Sequence, residues 1–263
     1  MDEQAILVDR ADGVATVTLN RPSVHNAFND AVIAEMTGVL ERLGADPALR
    51  VLVLRANGKS FSAGADLGWM QRMAGYSRDE NLADARALAR LMHVLDRVPV
   101  PTVALVQGAA FGGGVGLIAC CDIAIAADTA TFALTEVKLG IIPAVISPFV
   151  VQAIGVRAAR RYLLSAERFD AAEAYRLGLV HRVVAPETLE EALADQLRRL
   201  FDCGPQAQRE AKDLIFAVAH RPPADLAEET AARIARVRAS AEGREGVGAF
   251  LERRKPAWQA GES

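Results

Sequence analysis

Three consecutive glycines, Gly112 to Gly114, open the apolar stretch F-G-G-G-V-G-L-I-A-C-C-D that runs from Phe111 to Asp122. Glycine has no Cβ, so another chain atom or a ligand can lie directly against its backbone N–H group. A helix that begins there points its free N–H donors, and the positive end of its dipole, toward any ligand oxygen that gains negative charge. The glycines therefore indicate either half of an oxyanion hole or simply tight packing of a helix against a strand.

A second loop of small residues, K-S-F-S-A-G-A-D-L at Lys59 to Leu67, follows the strongly apolar strand predicted at Val51 to Leu54. Its residues 63–65, Ala-Gly-Ala, again leave backbone amides uncovered. Asp66 is of a residue type that caps helices, and it predicts a helix beginning near Leu67. Two such loops in one chain are a far more specific signal than either loop alone.

The two loops resemble those of the crotonase superfamily, the enoyl-CoA hydratase and isomerase group. The matching segments are F-S-A-G-A-D-L and Q-G-A-A-F-G-G-G-V-G-L-I-A-C-C-D-I-A-I-A, with N-R-P-S-V-H-N-A-F-N at Asn20 to Asn29 and F-L-E-R-R-K at Phe250 to Lys255. The resemblance thus covers nearly the whole chain. It implies an α/β fold, a crotonase-like spiral of repeated β-β-α units with a C-terminal helical region. The segments I-I-P-A-V-I-S-P-F-V and A-A-R-R-Y look closest to bacterial methylglutaconyl-CoA and carboxygeranoyl-CoA hydratases.

By this resemblance, the N–H groups of Ala65 and Gly113 would form an oxyanion hole for the thioester carbonyl of an acyl-CoA. Glu136, in A-L-T-E-V-K-L-G, matches a glutamate that transfers protons in the family's hydratases. Its apolar sequence neighbours would favour the neutral carboxylic acid, which suits general acid–base chemistry. The ordinary alternative is a solvated carboxylate at the edge of a strand.

Gly116 stands where the family's two-glutamate hydratases carry their other glutamate. The next acidic residue, Asp122, would lie about 9 Å further along a helix, so it cannot simply substitute. We therefore expect Gly116 to leave space for a larger or carboxylated acyl group, or for a water molecule.

Three functions remain open at this point. The first is an enoyl-CoA hydratase in which Glu136 alone activates water and relays a proton, with a branched or carboxylated substrate such as methylglutaconyl-CoA. The second is a Δ3-Δ2-enoyl-CoA isomerase, which needs only one base. The third is a catalytically weak acyl-CoA-binding protein or an RNA-binding relative. The net charge of −3 weighs against RNA, and the retained Glu136 weighs against a dead site.

The resemblance also implies the residues that contact the coenzyme A part of the substrate and its acyl group. They are Arg21, His25, Ala27, Ala63, Asp66, Leu67, Gly112, Gly114, Pro143, Phe250 and Arg253. Beyond coenzyme A as part of the substrate, no cofactor or metal is expected, because H-x-x-H, C-x-x-C and Rossmann glycine patterns are missing.

Charge and composition indicate neither a nucleic acid nor a membrane as partner. The acidic start at Met1 to Gln4 lacks a leader pattern, and the apolar run Ile141 to Ile154 is interrupted by prolines, so we expect a cytoplasmic protein. We expect the spiral core over residues 1–200 and a helical trimerisation region over 201–263. By the resemblance, the assembly would be a homotrimer or a hexamer.

Local patterns predict the elements that carry these residues. Strands are expected at 5–8 and 14–19 around a turn at Asp12-Gly13, and further strands at 102–106, 123–126 and 131–134. Helices are expected after a cap at Asn29 and over 78–95, where Leu88, Leu91, Met92 and Leu95 form a buried stripe. From Ala158 onward helices should dominate, with a short extended piece at 179–184. Trp69 and Met73 are expected either in the core or in the acyl pocket.

Overall fold

The structure is a computed structural model that describes residues 4–259. Met1 to Glu3, most of the start predicted to lack a leader, lie outside the described residues, as do residues 260–263. The described chain divides into two compact units. One unit holds the residues up to Val98 together with Thr102–Leu193, and the other holds Pro99–Pro101 and the residues from Ala194 onward. The predicted boundary at residue 200 and the trimerisation role of the second unit remain predictions.

The first unit contains ten strands and six complete helices within the described residues. The strands are β1 (Ile6–Ala11), β2 (Val14–Leu19), β3 (Val51–Ala56), β4 (Ser60–Ser62), β5 (Thr102–Val106), β6 (Ala109–Phe111), β7 (Ile123–Ala127), β8 (Thr131–Ala133), β9 (Phe169–Asp170) and β10 (Arg182–Val184). The helices are α1 (Asp30–Gly44), α2 (Leu67–Met73), α3 (Arg78–Asp96), α4 (Gly113–Cys120), α5 (Ser147–Ser165) and α6 (Ala171–Leu177).

The second unit is helical. Helix α7 (Leu189–Phe201) runs across the division between the units, and α8 (Pro205–Val218), α9 (Ala227–Ala239) and α10 (Ala241–Leu251) follow it. Each helix described within residues 4–259 is either too short or too polar to span a lipid bilayer.

The strands form two sheets, and the chain alternates between them. The six-stranded sheet has the order β1-β2-β3-β5-β7-β10, and the four-stranded sheet has the order β4-β6-β8-β9. Each of the pairs β3/β4, β5/β6 and β7/β8 therefore places one strand in each sheet before the chain enters a helical segment. This is the predicted spiral of β-β-α units.

Burial explains why the central strands form. Strands β3 and β5 each pair on both sides with parallel strands, and β5 is buried along its whole length. Strand β2 instead alternates between buried and partly exposed positions. Continuous apolar runs are typical of parallel strands covered on both faces, and residues 51–54 of β3 and 103–106 of β5 have this form.

The structure confirms the helix caps predicted at Asn29 and Asp66 and adds one at Ser77. The Asn29 side chain accepts a hydrogen bond from the Val32 N–H at 2.9 Å, and Asp66 accepts from the N–H groups of Gly68 and Trp69. Ser77 and Glu80 form a reciprocal capping box at the start of α3. Each such cap stabilises its helix by about 0.5 to 2 kcal/mol.

Helix α5 was not predicted as a separate element. It begins at Ser147, upstream of the region from Ala158 onward in which helices were expected to dominate, with Pro148 in its first turn. Proline is well tolerated in the first turn, because its missing N–H is one of the donors that a helix start leaves unpaired anyway. Gly155, with φ 74° and ψ 158°, then kinks the helix.

Candidate active site

A pocket of about 330 Å³ lies within the first unit, where the two small-residue loops meet. Its walls come from the loop before α2, from α2 and α3, from the start of α4, and from residues 135–146. The lining residues are Phe28, Ala63, Gly64, Ala65, Trp69, Met70, Met73, Asn81, Asp84, Ala85, Leu88, Gly112, Gly113, Thr135, Glu136, Leu139, Ile141, Ile142, Pro143, Ala144, Val145 and Ile146.

Backbone pairing with Phe28 orients the Ala65 amide. The Phe28 N–H donates to the Gly64 carbonyl at 2.7 Å, and the Asp66 N–H donates to the Phe28 carbonyl at 2.7 Å. These two bonds fix the peptides on either side of Ala65. In the part of the chain that the structure describes, the Ala65 N–H itself has no acceptor.

The Gly113 amide is the first N–H of α4. The Gly112 N–H donates to the Ala133 carbonyl at 2.9 Å, which ties the helix start to β8. The Gly113 N–H has no acceptor within residues 4–259, as expected for the first turn of a helix. A Cβ on Gly113 would lie 2.7 Å from the Phe28 ring, so only glycine fits without displacing Phe28.

The Glu136 carboxylate lies against the same glycine turn. Glu136 is the first residue of a short 3-10 helix, Glu136–Leu139, and not part of a strand edge. Its Oε1 lies 2.8 Å from the position that a Gly112 Cβ would occupy. Its Oε2 is buried without a hydrogen-bond partner among the described residues.

Burial raises the pKa of Glu136, although its own backbone N–H stabilises the charged form in part. A raised pKa means that the folded protein disfavours the ionised carboxylate relative to the unfolded chain. The group can therefore both accept and return a proton under mild conditions, as general acid–base chemistry requires.

This pKa shift predicts that Glu136→Gln stabilises the protein at neutral pH. The cost that Glu136 imposes on folding is absent below its ordinary pKa of 4.5, grows as pH rises from there to the raised pKa of the folded state, and stays constant above it. We expect the free energy of unfolding to rise by about 0.5 to 2 kcal/mol at pH 7 in the variant. Thermal unfolding of both proteins at pH 4 and pH 7 tests this. A variant less stable than the wild type at pH 7 would contradict the prediction.

Gly116 does not leave room for substrate, contrary to the sequence expectation. A Cβ at Gly116 would lie 2.4 Å from Ile146 Cγ2 and 3.4 Å from Met92 Cε. Gly116 is buried and does not line the pocket, whereas Ile146 does. The space that a side chain would need is thus filled by Ile146, a residue distant in sequence.

We therefore expect Gly116→Ala to destabilise the fold. The added methyl group must displace Ile146, and overpacking of this kind costs about 1 to 3 kcal/mol. Gly38→Ala, in the middle of α1, is the matched control, because its Cβ would meet only the flexible end of Arg42 at 3.3 Å. That control should gain about 0.5 to 1 kcal/mol from helix propensity. If urea unfolding gave equal stability for the two variants, Ile146 would move aside for the added methyl group at little cost in free energy.

Arg21, predicted to contact coenzyme A, holds the loop beside the pocket. Its guanidinium donates to the Ala27 carbonyl at 2.7 Å and to Asp66 Oδ2 at 3.1 Å. Burial alone would raise the pKa of Asp66. The hydrogen bonds that its carboxylate accepts from the start of α2 and from Arg21 outweigh this effect, so the pKa of Asp66 is lowered overall. Arg21 and Asp66 thus brace the loop that carries Ala65. His25 lies nearby, with its Nδ1 3.1 Å from Ser60 Oγ.

The remaining predicted residues fall in different surroundings. Ala63 and Pro143 line the pocket, Leu67 is 77% exposed, and Gly114 packs against Ser62, whose carbonyl lies 2.9 Å from the Cβ position. Phe250, on α10, and Arg253, which follows that helix, are exposed in the second unit. Their contacts with coenzyme A remain predictions.

Several residues that line the pocket were not predicted, and for two of them, both on α3, the sequence contained a pattern that could have identified them. Asn81 and Asp84 lie seven and four residues before Leu88, so they share its face of α3. Extending the buried stripe toward the start of the helix would have placed both side chains at the pocket. Phe28, Thr135 and Ile146 gave no comparable signal.

The sequence matches a protein family described as enoyl-CoA hydratase/isomerase over residues 9–261. A crystal structure of an enoyl-CoA hydratase from Shewanella pealeana is 48% identical, with 97% of this chain and 96% of that chain covered and a TM-score of 0.93. A crotonyl-CoA hydratase from Syntrophomonas wolfei is 34% identical, with 81% of each chain covered. A trans-2-decenoyl-[acyl-carrier-protein] isomerase from Streptococcus mutans is 30% identical, with 97% and 98% covered.

Proposed function

Since this chain belongs to the enoyl-CoA hydratase/isomerase family, we propose that it hydrates the 2,3 double bond of an enoyl-CoA thioester, with Glu136 as its acid–base group. One observation carries the proposal. The Glu136 carboxylate lies against Gly112, beside the free N–H of Gly113 and in the pocket that also holds Ala65. A proton-transfer group and two free amide donors therefore face one cavity.

The two amides stabilise the charge that develops during the reaction. When hydroxide adds to Cβ, electrons move to the thioester oxygen and give an enolate. The N–H groups of Ala65 and Gly113 donate to that oxygen, and the dipole of α4 adds a positive potential. Removing one such donor typically lowers the rate about 10²- to 10³-fold.

Glu136 moves the proton in both steps. Its ionised carboxylate takes a proton from water while the water oxygen bonds to Cβ. The protonated Glu136 then gives that proton to Cα, so the product gains one water and the enzyme returns to its starting state. The raised pKa of Glu136 suits a group that must alternate between both forms.

The coenzyme A part of the substrate, in this proposal, lies along residues 21–28 and 63–67. His25, Ala63 and Leu67 contact it, while Arg21 and Asp66 hold the loop in place. Contacts of Phe250 and Arg253 with coenzyme A are a prediction from the family resemblance alone, and Arg253 suits a phosphate because a guanidinium can bind one with two hydrogen bonds. The cytoplasmic location and the homotrimer or hexamer remain predictions.

A Δ3-Δ2-enoyl-CoA isomerase is the second candidate, and Gly116 favours it. This glycine has no side chain and does not line the pocket, so position 116 supplies no second carboxylate to work with Glu136. Moving a proton from Cα to Cγ needs only one base, together with stabilisation of the enolate. The similarity to an isomerase from Streptococcus mutans supports the same candidate.

Turnover in heavy-oxygen water separates the two functions. The purified protein is given crotonyl-CoA, methylglutaconyl-CoA and a 3-enoyl-CoA, and each product is identified by mass. A hydratase incorporates the labelled oxygen into a 3-hydroxyacyl-CoA. An isomerase converts the 3-enoyl-CoA without any label. Binding of acyl-CoA without turnover of any of the three would instead support an acyl-CoA-binding protein.

A further inference from the structure

We propose that the pocket selects an uncharged acyl chain and that Asp84 excludes chains that carry a carboxylate. This inference rests on the proposed acyl-CoA site and names its substrate class. Two carboxylates, Asp84 and Glu136, line the pocket, and none of the described lining residues is lysine, arginine or histidine. A negatively charged acyl chain would therefore meet like charge and no counterion.

Trp69 holds Asp84 in place. The Trp69 indole Nε1–H donates to Asp84 Oδ1 at 3.2 Å, and Trp69 itself is only 4% exposed. Asp84 Oδ2 has no hydrogen-bond partner among residues 4–259. The Trp69 ring therefore holds Oδ1, while Oδ2 stays available as a hydrogen-bond acceptor in the pocket. An ionised Asp84 has no hydrogen-bond donor to offer a substrate carboxylate.

The charges around Asp84 do not offset its own. Burial raises its pKa, Asp30 raises it further, and Arg72 and the Trp69 hydrogen bond lower it only in part. Arg72 forms an ion pair with Asp30 at 2.7 Å and does not line the pocket. This cation is therefore already engaged and is not positioned to bind a substrate carboxylate.

The rest of the lining suits a hydrocarbon chain. Met70 and Met73 from α2, Leu88 from α3, and Leu139 and Ile141 from the segment after Glu136 present apolar side chains to the cavity. Moving a carboxylate from water into such a site without a partner is costly, and a like charge adds to that cost. A hydrocarbon chain gains free energy from the same burial.

An uncharged acyl chain differs from the carboxylated acyl group that the sequence resemblance implies. A methylglutaconyl or carboxygeranoyl chain carries a carboxylate beyond the reacting double bond, and the described lining offers no basic group to bind it. A branched acyl chain, which the resemblance also implies, fits the part of the pocket lined by Met70 and Met73, because methionine side chains adapt to irregular shapes.

Binding of two saturated thioesters tests the inference without any reaction. Hexanoyl-CoA and adipoyl-CoA have acyl groups of the same carbon number, but only adipoyl-CoA ends in a carboxylate. Isothermal titration calorimetry at pH 7.5 should show hexanoyl-CoA binding at least about tenfold more tightly to the wild type. In Asp84→Asn the ratio should fall below about threefold, through a gain in adipoyl-CoA affinity. Asp79→Asn, an exposed site on the same helix, should keep the wild-type ratio.

Equal or tighter binding of adipoyl-CoA by the wild type would overturn the inference. If Asp84→Asn kept the wild-type ratio of hexanoyl-CoA to adipoyl-CoA affinity, Asp84 would not be the residue that excludes the carboxylate. If that variant fails to fold, the wild-type ratio still decides whether the pocket excludes a carboxylate, and Asp84→Ser, which also removes the charge, decides whether Asp84 is responsible. Neither ligand has a double bond, so these results do not depend on hydration, whose failure appears only in the product analysis.

Discussion

Glu136→Gln is expected to lower kcat/KM for enoyl-CoA hydration about 10²- to 10⁴-fold, the range that general acid–base groups contribute. The amide keeps the shape of the side chain but can neither take a proton from water nor return one to Cα. The Glu136 carboxylate lies against the glycine turn that begins α4, so its replacement removes the proton-transfer group beside that turn.

Affinity for a saturated thioester such as butyryl-CoA should stay within about threefold in this variant, because the free amides of Ala65 and Gly113 remain. Glu187→Gln, at an exposed carboxylate, serves as the matched control and should keep wild-type activity. Steady-state kinetics with crotonyl-CoA, or with the enoyl-CoA that the product analysis selects, measures both variants. Full activity in Glu136→Gln would exclude this residue from the chemistry.

The pH profile provides a second readout of the same prediction. In the free enzyme the ionised Glu136 activates water, and its pKa is raised above 4.5 by burial. The wild-type kcat/KM should therefore rise with pH through that raised value and level off above it. The residual activity of Glu136→Gln should lack this step. An acid limb that survives in the variant would assign the titration to another group.

The backbone parts of the site were predictable because they depend on local sequence. A glycine run before an apolar stretch, and a small-residue loop ending in a capping aspartate, each specify a turn with free amides. The structure places Ala65, Gly113 and Glu136 around one pocket, as the resemblance implied. The two-sheet spiral follows the predicted repeat of strands and helices in the same way.

The contents of the pocket could not be predicted, because they depend on which distant side chains meet. Gly116 alone suggests open space, and only the fold shows Ile146 occupying it. Likewise, the sequence does not show that Asp84 accepts a hydrogen bond from Trp69 on a different helix. The residues proposed for catalysis could therefore be predicted from sequence motifs, whereas the side chains proposed to select the substrate could not.

Gly112→Ala is expected to lower kcat/KM about 10²- to 10³-fold, as the loss of an oxyanion donor does. Gly112 has φ 50° and ψ −117°, a conformation that L residues rarely adopt. An added Cβ would also lie 2.8 Å from Glu136 Oε1. The variant should therefore turn the Gly113 amide and displace the Glu136 carboxylate together, so both catalytic elements lose their alignment.

Gly155→Ala separates backbone strain from damage to the site. Gly155 also has a positive φ, 74°, but a Cβ there would meet nothing within 4 Å, and it does not line the pocket. Both variants should lose stability, by about 1 to 3 kcal/mol. Only Gly112→Ala should lose activity as well, measured as kcat/KM at a temperature where both remain folded. Equal activity in the two variants would mean that the glycine turn adapts to a side chain, and that the close contact between Gly112 and Glu136 does not set the rate.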